Sequence, residues 1–147
     1  MTKEGAKVVT NNRRPGSTGL TVDGKAFNKK LTAEEKEDAH RIAGDTETTA
    51  KAIRDIGGEA MSFFGDVSSF EVAGRLIQTA VDNFGKIDIL VNNAGTFGHA
   101  PVWEMTEELC DRVTLGKPKS YFNCIRHASP ITKEQRWGRI INYSSTG

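Results

Sequence analysis

The chain has 147 residues, with 20 Lys and Arg against 19 Asp and Glu, and its formal net charge is +1. This length predicts one domain, and the even charge balance argues against nucleic-acid binding, which needs a clustered basic excess. With 37% hydrophobic and 27% charged residues, and no run near the roughly 20 apolar residues of a membrane span, the sequence predicts a globular protein rather than a disordered or membrane-spanning one.

The N-terminal part predicts a short strand followed by a polar insertion. Residues 6–10 form a β-type run, whereas residues 11–44 are polar and predict a surface insertion with a short solvated helix near residues 32–43. The start of the chain has no apolar segment of a secretory signal, and Cys110 and Cys124 form no Cys-x-x-Cys pair. We therefore expect two reduced thiols in a cytoplasmic protein.

From Gly44 onward, helices and strands alternate. Asp45 is expected to cap a helix that ends near Ile56, and a strand follows over residues 59–64. The run Ser68-Ser69-Phe70-Glu71 predicts a capping box, in which a serine hydroxyl accepts from a backbone N–H and the glutamate reaches back to the cap.

The second half of the chain continues the alternation. The helix after the capping box carries an apolar stripe at the 3.6-residue period up to Gly85, and an apolar strand follows over residues 87–91. Thr106 starts another helix, in which Pro118 predicts a kink or a break because proline lacks a backbone donor and clashes with the preceding turn. A last strand covers residues 139–143. This order predicts βαβ units and a parallel α/β sheet.

Small or polar residues follow three of the predicted strands. They are Asp66-Val67, Asn92-Asn93-Ala94-Gly95 and Asn142-Tyr143-Ser144-Ser145. Ligands of parallel α/β sheets bind outside the carboxyl ends of the strands, where small residues let the backbone approach a ligand. Each motif also has a purely structural interpretation: a helix start at Asp66, a tight turn, and a serine turn.

Taken together, these motifs resemble the short-chain dehydrogenases/reductases. The matching text is Glu4-Gly-Ala-Lys-Val-Val9, Asp66-Val67, Ile87-Asp-Ile-Leu-Val-Asn-Asn-Ala-Gly95 and Gly138-Arg-Ile-Ile-Asn-Tyr-Ser-Ser145. The resemblance covers nearly the whole chain except the insertion. It implies a Rossmann-type, doubly wound parallel sheet of which this chain carries the equivalents of strands two to five. It also implies hydride transfer between a nicotinamide cofactor and a carbonyl or alcohol substrate.

The resemblance assigns roles to individual residues. Ser145 matches the family's catalytic serine, which hydrogen-bonds the substrate oxygen, whereas Tyr143 does not match the catalytic tyrosine. The residues implied to line the cofactor are Asp66 and Val67 at the adenine ring, and Asn92, Ala94 and Gly95.

The end of the first strand bears on the choice between NAD and NADP. An acidic residue there accepts from the ribose 2′-hydroxyl of NAD, whereas an arginine accommodates the 2′-phosphate of NADP. Asn12 and Arg13 lie in Asn11-Asn12-Arg13-Arg14, which offers guanidinium groups and no carboxylate, so NADP is favoured over NAD. The alternative is that the arginines belong to the solvated insertion.

The sequence also departs from the family. Residues 1–147 contain neither the glycine-rich cofactor loop nor the Tyr-x-x-x-Lys pair, and Lys117 stands where the family has an asparagine that supports a proton relay. In the family's sheet, the first strand lies between strand two and strand four. Without it, strands two and three would form one pair and strands four and five another. We therefore expect unpaired strand edges, marginal stability and no turnover by this chain alone.

Two interpretations of function remain open at this stage. The first is a fragment of an NAD(P)-dependent oxidoreductase, a partial cofactor-binding domain over residues 1–147. The second is a non-catalytic remnant, or a scaffold module that a partner completes. The expected ligand is a small-molecule substrate. The resemblance implies that the complete protein can form homo-oligomers, which are common in the family, but the usual interface elements are only partly present in this chain. The three histidines show no metal-ligand spacing, so no metal site is predicted.

Overall fold

The computed structural model of the protein describes residues 4–16, 21–22, 25–26, 44–95, 98 and 100–144. The chain forms two compact units, Met1–Gly65 and Asp66–Gly147. The helix predicted near residues 32–43 and the predicted catalytic Ser145 lie outside the described residues. In the described part of the chain, no helix combines the length and the apolar character that a membrane span requires.

The first unit contains a parallel strand pair and one helix. Its elements are β1 (Val8–Asn12), the short antiparallel pair β2 (Thr21–Val22) and β3 (Lys25–Ala26), α1 (Thr46–Asp55) and β4 (Ala60–Phe64). β1 and β4 pair in parallel, with Val8 opposite Ala60 and Asn12 opposite Phe64. The strand predicted over residues 6–10 is therefore present, but it begins and ends two positions later.

Helix α1 begins and ends as the sequence predicts. The Asp45 side chain caps its N-terminus by accepting from the Thr48 N–H at 3.0 Å, and Ile56 is the C-cap. Gly57 follows with a φ of 82°, a left-handed conformation that glycine adopts without steric cost. The buried Thr46 hydroxyl bonds to the hydroxyl of Thr10 on β1, which ties the first turn of the helix to the strand.

The second unit contains a parallel strand pair and two helices. Its elements are α2 (Phe70–Phe84), β5 (Ile89–Asn92), α3 (Glu107–Gln135) and β6 (Arg139–Asn142). β5 and β6 pair in parallel, with Ile89 opposite Arg139 and Asn92 opposite Asn142. The core of this unit consists of buried residues from α2, β5 and α3 and from the segments that precede α2 and β5: Val67, Ala73, Ile77, Ile87, Leu90, Cys124 and Ala128.

The N-terminus of α2 differs from the predicted capping box. Ser69 rather than Ser68 is the N-cap, and its hydroxyl accepts from the N–H of the third helical residue at 3.4 Å. Glu71 does not reach back to the cap but pairs with Arg75 one turn later, at 2.8 Å. The reason is that the Ser68 N–H already donates to Oδ1 of Asp66 at 3.0 Å, so an Asx turn precedes the helix and moves its start by one residue.

Helix α3 passes through Pro118 without the predicted break. It runs for 29 residues and contains both Pro118 and Pro130. Proline removes one helical hydrogen bond, but Thr106 caps the start of α3 by accepting from the Leu109 N–H at 3.2 Å. Beyond Pro118, four residues are buried: Ser120, Asn123, Cys124 and Ala128. The predicted break is therefore absent, because a cap and a packed face outweigh one lost hydrogen bond in a long helix.

In the part of the chain that the structure describes, the parallel strands form two pairs. Among the described residues, β1 pairs with β4 and β5 pairs with β6, which is the pairing predicted for the equivalents of family strands two to five. The apolar side chains of the second pair stay partly exposed, at 40% for Ile89, 43% for Val91, 40% for Ile140 and 40% for Ile141. A two-stranded sheet has unpaired backbone groups along both edges, so each pair offers edges to a further strand.

Candidate functional site

Two asparagines join the carboxyl ends of β5 and β6. Asn92 is 5% exposed, and its Nδ2 donates to Oδ1 of Asn142 at 2.8 Å. Its carbonyl oxygen accepts from the Tyr143 N–H at 2.9 Å, which extends the pairing one step beyond β6. The Asn92 side chain therefore holds the two strand ends in register and positions the exposed turn that follows, which contains Ala94 and Gly95.

The Asp66-Val67 segment is fixed by a residue whose role the sequence analysis missed. Asn123 on α3 is 1% exposed, and its Nδ2 donates to the carbonyl oxygens of Val67 at 3.0 Å and Ser68 at 2.9 Å. Oδ1 of Asp66 accepts from a backbone N–H, which is the helix-start role weighed from the sequence. A polar residue within the apolar face of a helix, beside Cys124, is the signal that could have identified Asn123.

Lys117 lies against the turn that follows β5. A Cβ added to Gly95 would lie 3.3 Å from Cγ and from Cδ of Lys117, so the lysine stem occupies the space that a side chain would fill. Lys117 is half-buried on α3. Within the described residues, its ammonium group has no hydrogen bond or ion pair. The sequence marked Lys117 as a departure from the family but did not predict this contact.

A tyrosine of α3 binds the backbone just after β6. The Tyr121 hydroxyl donates to the carbonyl oxygen of Tyr143 at 2.6 Å, just before Ser144. Together with the Asn92–Tyr143 bond, this contact fixes the backbone that leads to Ser145. In the second unit, α3 is thus the element that contacts the segments after β4, β5 and β6, through Asn123, Lys117 and Tyr121 respectively.

Asn12 and Arg13 belong to the first unit. Asn12 ends β1, and its carbonyl oxygen accepts from the Gly65 N–H at 2.9 Å. Asn11 braces the same strand end, since its Nδ2 donates to the carbonyl oxygens of Phe63 at 3.2 Å and Gly65 at 3.0 Å. Arg13 follows directly and is exposed. This strand end is therefore rigidly held, with an exposed guanidinium-bearing side chain beside it.

A carboxylate also lies near this strand end, which the local sequence did not reveal. Oδ2 of Asp45 accepts from the Gly16 N–H at 3.0 Å, although the two residues are 29 positions apart. The Gly16 N–H, followed by the Thr48 N–H, holds the pKa of the Asp45 carboxyl below its ordinary value. Because both of its oxygens accept protein hydrogen bonds, Asp45 acts as a loop and helix cap.

Comparison with known proteins places these elements in a family context. A family model described as short chain dehydrogenase matches residues 17–147. An uncharacterized oxidoreductase of Mycobacterium bovis is 37% identical over 134 residues, which cover 88% of this chain and 52% of the relative. The chain therefore spans about half the length of the curated relatives it matches.

Solved structures show the same likeness. A short chain dehydrogenase from Mycobacterium avium superposes with a TM-score of 0.71 at 31% identity, over 98% of this chain and 45% of that one. An NAD+-bound xylitol dehydrogenase gives a TM-score of 0.64 at 35% identity, over 67% of this chain and 38% of that one. A metagenomic short-chain oxidoreductase in complex with NADP gives a TM-score of 0.71 at 23% identity, over 99% of this chain and 54% of that one. At this identity, the likeness supports the fold alone.

Proposed function

Because the chain belongs to the short-chain dehydrogenase/reductase family and has its Rossmann-type α/β fold, we propose that it is part of an NAD(P)-dependent oxidoreductase. The reaction is hydride transfer between a nicotinamide cofactor and a carbonyl or alcohol of a small molecule. The observation that carries this proposal is the tie between Asn92 and Asn142, which holds the carboxyl ends of β5 and β6 together at 2.8 Å. In a parallel α/β sheet, this edge is where ligands bind.

The residues present fit a dinucleotide. Asn93, Ala94 and Gly95 are exposed after β5, so a flat or ribose-bearing ligand can approach this turn. Val67 is 6% exposed and its backbone is fixed by Asn123, so this segment offers a rigid wall rather than a mobile loop. The cofactor, when bound, accepts or supplies the hydride. The residues proposed to hold it are Asn12, Arg13, Asp66, Val67, Asn92, Ala94 and Gly95.

We favour NADP as the cofactor. Arg13 is exposed directly after β1, where a guanidinium can pair with a 2′-phosphate in a bidentate way. The nearby Asp45 carboxylate accepts from Gly16 and Thr48, so its oxygens are already engaged rather than turned to a ribose hydroxyl. The likeness to an NAD+-bound xylitol dehydrogenase keeps NAD as the alternative.

Ser145 is the proposed catalytic residue of this chain. Its hydroxyl donates a hydrogen bond to the substrate oxygen, which stabilises the negative charge that develops there during hydride addition. Tyr121 and Asn92 act through the backbone, because they hold Tyr143 and thus the end of β6. A general acid must come from outside residues 1–147, which contain no Tyr-x-x-x-Lys pair.

We therefore propose that the 147-residue chain alone has no dehydrogenase turnover and that it is a fragment of a longer, cytoplasmic and homo-oligomeric enzyme. The coding sequence on either side distinguishes this from the alternative. Upstream bases that encode a strand with a Thr-Gly-x-x-x-Gly-x-Gly loop, and downstream bases that encode Tyr-x-x-x-Lys, would support the enzyme. Turnover by the purified 147-residue chain would overturn the claim that it is inactive alone.

A second function is favoured by the paired strands. The described residues of β5 and β6 leave Ile89, Val91 and Ile140 about two-fifths exposed, and each strand pair has free edges. A non-catalytic remnant, or a scaffold that a partner completes by adding a strand, would use these edges. Stable, monomeric behaviour of the isolated chain, with a cooperative melt and low hydrophobic-dye binding, would count against a need for such completion.

A further inference from the structure

The side chain of Lys117 on α3 lies against Gly95 in the turn that follows β5. Its side chain leaves the helix next to Pro118 and runs along the turn after β5, where Cγ, Cδ and Cε lie 3.3, 3.3 and 3.6 Å from the position of a Cβ on Gly95. A Cβ at this position would require the stem to shift by a few tenths of an ångström. The aliphatic part of Lys117 therefore lies beside the turn, and the ammonium group is one bond beyond Cε.

The charge of Lys117 is not neutralised by any of the described residues. Within the described residues, the ammonium group has no carboxylate partner and no hydrogen-bond acceptor, although the residue is half-buried. Its neighbour Lys119 is exposed. An ammonium group has three donors and no acceptor, so an anionic oxygen is the partner that satisfies it best.

We infer that Lys117 is a cofactor-binding residue, whose ammonium group pairs with a phosphate of the dinucleotide at the turn formed by Asn93, Ala94 and Gly95. This inference rests on the proposed function, since the dinucleotide is its ligand. The stem already packs beside Gly95, which restricts the side chain before binding and lowers the entropy that it loses when a ligand binds. The lysine thus adds a fixed positive charge to a turn made otherwise of neutral residues.

The matched variants follow from this geometry. Lys117→Met keeps an unbranched stem against Gly95 and removes only the charge, whereas Lys117→Arg keeps the charge. Lys119→Met removes a charge two positions away on an exposed part of α3 and is the control. Thermal melts of all variants report whether the fold is retained.

The test is a fluorescence titration of NADPH into the complete gene product that contains residues 1–147. We expect Lys117→Met to weaken NADPH binding by about tenfold, Lys117→Arg to stay within about threefold of the wild type, and Lys119→Met to leave binding unchanged. The difference between wild type and Lys117→Met should shrink as salt is raised, because salt screens the charge. If the wild type binds NADPH and Lys117→Met binds it with equal affinity, the role of Lys117 is overturned but the proposed function is not. Absence of NADPH binding by the folded wild type would overturn the proposed function and this inference with it.

Discussion

The side-chain amide of Asn92 donates to the side-chain oxygen of Asn142 at 2.8 Å, and the two residues end β5 and β6 opposite each other. This one bond sets the register of the strand ends that carry the Asn-Asn-Ala-Gly turn and the serine pair. Asn92 is 5% exposed, so loss of the Asn142 side chain would leave the Asn92 Nδ2 without this partner in a buried position. The strand ends and the candidate site therefore depend on the same contact.

Replacement of Asn92 by alanine should destabilise the fold. It removes a side chain that is only 5% exposed, together with its hydrogen bond to Asn142, for which we expect a loss of about 1–3 kcal/mol in the free energy of unfolding. Urea unfolding followed by circular dichroism measures this loss. Asn93→Ala is the matched control, since Asn93 is the next residue and is exposed, and its effect should stay within about 0.5 kcal/mol. Equal stabilities of the two variants would contradict the structural role of Asn92.

Replacement of Asn123 by alanine should destabilise the fold more than replacement of Asn92. Asn123→Ala removes the donors to two backbone carbonyl oxygens at once, those of Val67 and Ser68, and leaves a cavity at a site that is 1% exposed. We expect a loss of about 2–4 kcal/mol in the free energy of unfolding. Asn83→Ala is the control, because that exposed amide donates only to the Thr79 carbonyl oxygen of its own helix. A melting temperature of Asn123→Ala equal to that of the control would show that the Val67 segment is held otherwise.

The two cysteines should differ in reactivity. Burial of Cys124, which is 4% exposed, raises the pKa of its thiol from 9.0 to about 11, whereas Cys110 is exposed. A thiol-specific reagent at pH 8 should modify Cys110 quickly and Cys124 only on unfolding, because the thiolate is the nucleophile. In Cys110→Ser, Cys124 is the remaining cysteine, so all labelling reports on it. Fast labelling of Cys124 in the folded protein would contradict the prediction.

The raised pKa of Cys124 also has a consequence for stability. The unfolded chain loses the thiol proton near pH 9, before the folded protein does, so ionisation favours unfolding above that pH. The contribution of this group is thus fully present below pH 9 and is lost as the pH rises toward about 11. Cys124→Ala, measured between pH 8 and pH 11, should remove this part of the pH dependence of the unfolding free energy.

Cofactor preference should depend on the end of β1. In the complete gene product, Arg13→Ala should weaken NADP+ binding by about tenfold and leave NAD+ binding within about twofold, because only NADP+ carries the 2′-phosphate. Isothermal titration with both nucleotides measures this. Lys7→Ala is the control, since Lys7 precedes the same strand at its other end and pairs with Glu59 at 2.9 Å. Tighter binding of NAD+ than NADP+ by the wild type would sink the proposed preference.

The local elements of the fold could be predicted because their signals are local. Asp45 and Thr106 cap helices as predicted, and Gly85 ends α2 with a φ of 76° in the left-handed region. Where two local signals compete, the sequence is ambiguous. Asp66 takes the N–H of Ser68, so Ser69 becomes the cap, and the order of polar residues alone does not decide between the two serines.

The parts of the site that the sequence did not reveal are contacts between distant residues. The bond from Gly16 to Asp45 joins residues 29 positions apart, and the bond from Asn123 to Val67 joins residues 56 positions apart. The lysine stem on Gly95 is of the same kind, because Lys117 belongs to a different element. Periodicity reports which face of a helix is apolar, but not which backbone carbonyl a buried amide on that face will meet.

The central claim is that this chain contributes the substrate-binding serine and a cofactor wall to an NAD(P)-dependent oxidoreductase. The most direct measurement is the rate of NADPH oxidation by the complete gene product with a panel of carbonyl compounds, compared between the wild type, Ser145→Ala and the control Ser144→Ala. We predict carbonyl-dependent turnover, a loss of about 100-fold or more in kcat for Ser145→Ala, and a change within about threefold for Ser144→Ala. Wild-type rates from Ser145→Ala, or no turnover from a folded protein with NADPH bound, would contradict the account.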